Sequence, residues 1–153
     1  VIGYRFILDS SALLAYADEQ TQVHVGEKIS KAADEHRMVG VPGGVLAAVL
    51  QGATKRPAVV NRLRLLAGIS NVGVLALAIS TWDSALDFAG YLAAFDGRTD
   101  LATAAWEADN YSEGQATEDG QWDAVYVLTA DPAVYNIEDG PLFIDVLGDD
   151  SKR

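Results

Sequence analysis

Apolar and polar positions along this chain alternate between short strand-like runs and stretches of helical spacing. "YRFIL" (Tyr4–Leu8) reads as a buried strand, and the Asp9-Ser10-Ser11 that follows is a natural helix entry. Leu13, Leu14 and Ala17 then give a short apolar face. Residues 23–35 suit a second helix, with Val25, Ile29, Ala32 and Ala33 inward and Lys28, Lys31, Asp34 and Glu35 in water. "RMVGV" (37–41) is the second strand, and Pro42 can open a third helix in which Val45, Leu46, Val49 and Leu50 recur. Pro57 starts another, with Val59, Val60, Leu63 and Leu66 on one face. "NVGVLAL" (71–77) is the third strand. The clearest amphipathic helix comes next: Trp82, Ala85, Leu86, Ala89, Leu92 and Ala93 share a stripe, with Ser80 or Thr81 as N-cap. A further helix runs from Thr99 through Leu101, Ala104, Ala105 and Ala108. Residues 109–123 carry five acids and no base and read as a loop; residues 124–130 and 141–147 are the last strands.

Strands separated by helices, with no tight hairpin signals, argue for βα units. The expected class is α/β, with a mostly parallel central sheet of about five strands and helices on both faces. Residues 1–147 form a single domain and 148–153 a polar tail, in keeping with roughly 150 residues per domain. Half the residues are hydrophobic and 22% charged, as in a packed globular chain. No window approaches the roughly 18 apolar residues of a membrane span, and no basic-then-apolar leader opens the chain, so a cytoplasmic protein with no membrane partner is expected.

Two features of composition bear on chemistry. The absence of cysteine excludes a disulfide framework, a thiolate zinc site and a cysteine nucleophile. The net charge of −11 opposes loose binding to nucleic acid, yet is compatible with a nucleic-acid enzyme whose acids hold metal ions. In parallel sheets, ligands bind beyond the carboxyl ends of the strands. Asp9 follows the first strand, Asp131 follows "VYVLT", and Asp100 opens the helix after "GRT". Three aspartates from distant positions could thus share one edge, and Mg²⁺ needs only one or two carboxylates with water and phosphate oxygens. Each also has a plain structural reading: Asp9 as a helix cap, Asp100 as a first-turn acid, Asp131-Pro132 as a turn.

The order of these segments resembles a PIN domain, in particular the VapC-like toxin ribonucleases, over residues 4–147. "FILDSSALLAY" is similar to the opening strand and helix, with Asp9 as first acid and Ser11 as its hydroxyl neighbour. "RTDLATAAWEA" resembles the helix of the third acid, Asp100. "VLTADPAVY" resembles the final motif, with Thr129 and Asp131 as its hydroxyl and last acid. The resemblance implies a three-layer αβα sandwich and a Mg²⁺- or Mn²⁺-dependent endoribonuclease, with Asp9, Asp100 and Asp131 on the metal and Ser11 and Thr129 supporting them. It further implies an RNA substrate, a homodimer and an antitoxin-like protein partner.

"VGVPGGVLAAVLQG" departs from the pattern. The family's usual helix-borne glutamate, counted from Pro42, falls on Ala48, which can neither bind a cation nor position water. Either the chain is a degenerate member, the sequence was altered here, or another acid substitutes; Asp96 is nearest to Asp100 in sequence, with Asp18 and Glu27 further candidates. The alternative function is therefore a non-catalytic PIN-like module acting through RNA or protein binding.

Other features read first as structure. Lys55, Arg56, Arg62 and Arg64 could grip RNA phosphates but more simply form a solvated helix face. His24 and His36 lack ligand spacing, and Ser10 and Ser11 lack a matching histidine and the elbow glycines of a serine hydrolase. Trp82 is assigned to the core. Trp106 and Trp122 are assigned to packing, and 109–123 to a solvated insertion, with an acidic flap as the sharper alternative.

Overall fold

A computed structural model describes residues 3–114, 124–137 and 144–147. Among these residues five strands, β1 (Tyr4–Leu8), β2 (Met38–Pro42), β3 (Val72–Leu75), β4 (Tyr126–Thr129) and β5 (Ile144–Val146), form one sheet in the order β3-β2-β1-β4-β5. All four pairings are parallel. Among the described residues six helices accompany them: α1 (Ser10–Ala17), α2 (Gln22–Asp34), α3 (Gly43–Gly52), α4 (Pro57–Ala67), α5 (Trp82–Ala94) and α6 (Thr99–Gly114).

Strand alternation divides the core into two layers. Phe6 and Leu8 of β1, Val39 and Val41 of β2, and Leu128 of β4 point to one face, where Leu13, Val25, Ile29, Val45, Val49, Leu63 and Leu66 of α1 to α4 cover them. Ile7 and Val127 point to the other, under Phe88 of α5 and Leu101, Ala105 and Trp106 of α6. Helices therefore cover both faces, as continuous apolar strands such as "FIL" require. Close approach explains two glycines. A Cβ on Gly40 would lie 2.7 Å from side-chain atoms of Ile7 and Leu75, and one on Gly43, at the first turn of α3, 3.1 Å from the Leu75 carbonyl.

Five sequence expectations require correction. Apart from Leu92, the stripe assigned to the core on α5 faces outward instead: Trp82 is 81% exposed and Leu86 62% exposed, and Ala85, Ala89 and Ala93 are exposed too. The same helix carries a second apolar stripe, Phe88, Tyr91, Leu92 and, at its C-cap, Phe95. That stripe is the one that packs, because it meets aromatic partners: Phe88 lies edge-on to Trp106 and Phe95 edge-on to Tyr135. Lys28, expected in water, is buried, its ammonium 2.8 Å from Asp145 on β5 and over the Phe6 ring. Leu14 is 46% exposed, and Ala33, expected inward on α2, is exposed as well. The expected loop at 109–123 begins as helix, since α6 continues to Gly114; Tyr91 holds Asp109 at 2.6 Å, and Ser112 is buried against Val125. Residues 115–123 with Trp122, and the tail 148–153, lie outside the described residues.

Trp106 packs as expected, buried with its indole N–H 3.0 Å from Asp87. Thr81 caps α5 in a capping box with Ser84. Asp96 sits just past α5 with φ 54°, and the Asp96 and Gly97 N–H groups donate to Ala93 and Leu92 carbonyls. This is a Schellman ending, so Asp96 is positioned by helix termination. His36 ends α2 in the same way.

Candidate active edge

The chain runs from β1 outward through β2 and β3, then returns to add β4 and β5 on the opposite side of β1. The sheet's switch point therefore lies between β1 and β4, and the cleft beyond their carboxyl ends is where such sheets bind ligands. Asp9 leaves β1 there, and Thr129 ends β4 beside it.

Asp9 is 1% exposed, and three donors hold its carboxylate. Oδ1 accepts from the Ala12 N–H at 2.9 Å and the Ser11 hydroxyl at 2.6 Å; Oδ2 accepts from the Tyr135 hydroxyl at 2.6 Å. The bond from Ala12 is an N-cap bond, so the cap reading of Asp9 holds alongside any functional one. Proton counting fixes the direction of the wider chain. Ser11 has one hydroxyl proton and gives it to Asp9, so in the 3.1 Å Ser11–Thr129 contact Thr129 donates. Thr129 Oγ1 in turn accepts from the Asp131 N–H at 3.0 Å, and Ser11 Oγ accepts from the Ala130 N–H at 2.8 Å. Every link is polarised toward the Asp9 carboxylate, and each strengthens the next. Burial, reinforced by the nearby Asp9 charge, pushes the Tyr135 hydroxyl above the ordinary tyrosine range, so it stays a donor.

Asp100, in the first turn of α6, is held separately, by the neighbouring serine of α1. Its Oδ2 accepts from Ser10 Oγ at 2.9 Å and from the Arg98 guanidinium at 3.1 Å. Adjacent residues of α1 thus hold the two aspartates: Ser11 on Asp9, Ser10 on Asp100. Asp131 stands apart. Its backbone takes part, but its side chain is exposed and caps nothing at the 3₁₀ turn Pro132–Tyr135. Among the described residues no three His, Asp or Glu side chains gather as a metal-holding group.

The donor set nevertheless has room for a hard cation. A carboxylate offers about four lone-pair directions. Asp100 Oδ1 carries no hydrogen bond from a described residue and Asp9 Oδ2 carries one, from Tyr135, so an ion that takes one or two carboxylates and keeps its water would share Oδ2 with that hydroxyl. Beside Asp100 lies an open groove of about 470 Å³ lined by Ser10, Leu14, Ala48, Val49, Arg56 and Asp100, among others. Ala48 is exposed on α3 and faces this groove, while Asp96, Asp18 and Glu27 do not line it.

No family model matches the sequence, and no curated protein matches it. Among solved structures, the chain is similar to one in the crystal structure of VapBC2 from Rickettsia felis bound to a DNA fragment from their promoter. The TM-score is 0.64 at 10% identity, over 93% of this chain and 98% of that one. The fold is a PIN-like sandwich. At that identity the likeness concerns the fold alone, and its five-stranded sheet is wholly parallel where a mostly parallel one was expected.

Ser10 and Tyr135 were not assigned to the site from sequence, and Arg56 was weighed only as one of four bases that could grip RNA phosphates. Tyr135 lies within the quoted final motif, four residues after Asp131, but only the 3₁₀ turn brings its hydroxyl back onto Asp9. Of the basic cluster, Arg62 bonds the Ala17 carbonyl and Glu19, whereas Arg56 makes no ion pair with a described residue and lines the groove.

Proposed function

We propose that this chain is a PIN-type, Mg²⁺- or Mn²⁺-dependent endoribonuclease, the VapC-like toxin of a toxin–antitoxin pair, with cleavage weakened by Ala48. The observation that supports it is the hydrogen-bonded chain joining Thr129, Ser11 and Asp9, with Ser10 on Asp100, at the switch point of the sheet. Asp9 and Asp100 would hold the cation, with Asp131 on the exposed side of the same edge. When bound, the cation would activate water and offset charge on the scissile phosphodiester. Ser11 and Ala12 fix one Asp9 oxygen and leave the other turned to Tyr135. Ser10 and Arg98 hold Asp100, and Arg56 would receive an RNA phosphate at the groove. An antitoxin covering this edge and a second copy of the chain are the proposed partners, in the cytoplasm; the first accords with the VapBC2 pair of similar fold.

Ala48 favours a second reading, a non-catalytic module acting through RNA or protein binding. A side chain that ends at Cβ in the groove beside Asp100 supplies no ligand and no base.

Calorimetric titration of Mn²⁺ into the wild-type and Asp9→Asn proteins tests the carboxylate site. Saturable binding that falls at least tenfold in affinity in Asp9→Asn is expected, since tenfold corresponds to about 1.4 kcal/mol, the low end for one charge-assisted contact. Equal binding by the two proteins would remove Asp9 from the site.

A further inference from the structure

The proposed metal reading leaves one feature unexplained. A carboxylate that is 1% exposed normally needs a cation, and among the described residues none pairs with Asp9; the nearby Arg98 is spent on Asp100. What Asp9 has instead is Tyr135. The Tyr135 side chain is 3% exposed, its ring sits edge-on to Phe95 at 5.7 Å, and its hydroxyl reaches Asp9 Oδ2 at 2.6 Å. Oδ1 is already filled by Ser11 and Ala12, so Oδ2 is the oxygen with capacity left, and Tyr135 occupies part of it.

We propose that the Tyr135 hydroxyl stands in for the cation: it holds the Asp9 carboxylate in the metal-free chain and competes with metal for Oδ2. This rests on Asp9 being a metal ligand and adds a regulatory element to that site. Tyr135 acts through Asp9 and is a positioning residue. Its role gives two effects of opposite sign that a merely structural tyrosine would not. Removing the hydroxyl weakens the metal-free fold, because a buried carboxylate loses a donor, and at the same time strengthens metal binding, because the competitor is gone.

Tyr135→Phe, which keeps the ring against Phe95, tests this with two readouts. Without metal the variant is expected to melt roughly 5 °C below wild type. Its Kd for Mn²⁺, by calorimetry, is expected to be about tenfold lower than that of wild type. A folded Tyr135→Phe chain that binds Mn²⁺ no more tightly than wild type would overturn the proposal. Should the variant fail to fold, the wild-type chain answers the question by NMR. Mg²⁺ saturation should speed exchange of the Tyr135 hydroxyl proton with water, and an unchanged rate would overturn the competition. Ala48→Glu separates this inference from the metal reading. If Ala48→Glu binds Mn²⁺ and adding Tyr135→Phe changes nothing, the competition alone falls. If neither Ala48→Glu nor Ala48→Glu/Tyr135→Phe binds Mn²⁺, both fall together.

Discussion

At Asp9 a single carboxylate serves as helix cap, as terminus of a polarised hydroxyl chain and as candidate ligand. The identities of Asp9, Ser11 and Thr129 were legible because each lies in a short segment next to a strand end, where local sequence places the side chain. Tyr135 and Ser10 were not, because their roles depend on which distant oxygen the fold presents to them. Glu107 was equally illegible. It lies on α6, 4% exposed, with Oε1 lacking a hydrogen-bond partner among the described residues, and burial pushes its carboxyl from 4.5 up to about 7. Its charge, after burial itself, also raises the hydroxyls of Tyr4 and Tyr111, whose rings are 4.6 Å apart. The folded state therefore binds this proton more tightly than the unfolded chain. The associated stability is complete below about pH 4.5 and is lost as pH rises through about 7. Glu107→Gln should remove that dependence. In urea melts, the variant should exceed wild type by on the order of 2–3 kcal/mol at pH 8 and match it near pH 4. A constant difference across that range would contradict the assignment.

At the scale of elements, the strands and helix starts were readable because Pro42, Pro57 and Thr81 mark entries by local backbone chemistry. The inward face of α5 was not. Two apolar stripes share that helix, and the choice between them was made by Trp106 and Tyr135, far away in sequence. Lys28 illustrates the same limit: helical spacing puts it among polar neighbours, but β5 brings Asp145 against it. The pair is asymmetric, with side chains 6% and 26% exposed. Asp145→Ala should strand a buried ammonium and cost about 2–3 kcal/mol, discounted for the partial exposure of the pair. Lys28→Met, which keeps the stem over Phe6 and removes the charge, should stay within about 1 kcal/mol of wild type. Chemical denaturation of the two variants checks both, and equal losses would mean that packing of the lysine stem, and not the unpaired charge, dominates.

Across the whole molecule, the parallel sheet follows from alternating strand and helix patterns, and its order places Asp9 and Thr129 on either side of the switch point. The helices of the described residues include none long and apolar enough to cross a membrane. A charge of −11 sits on a chain proposed to act on RNA, so attraction to a polyanion has to be local, with Arg56 in the groove beside Asp100 as its means. The proposed function makes this edge a nuclease scaffold weakened at Ala48. The most direct measurement is single-turnover cleavage of an RNA pool by Ala48→Glu in Mn²⁺, against wild type and Ala48→Glu/Asp9→Asn. Cleavage at least a hundredfold above wild type, the low end of what one general acid or base contributes, and abolished by EDTA and by Asp9→Asn, is the result expected. No cleavage by folded Ala48→Glu, or cleavage indifferent to Asp9, would contradict it.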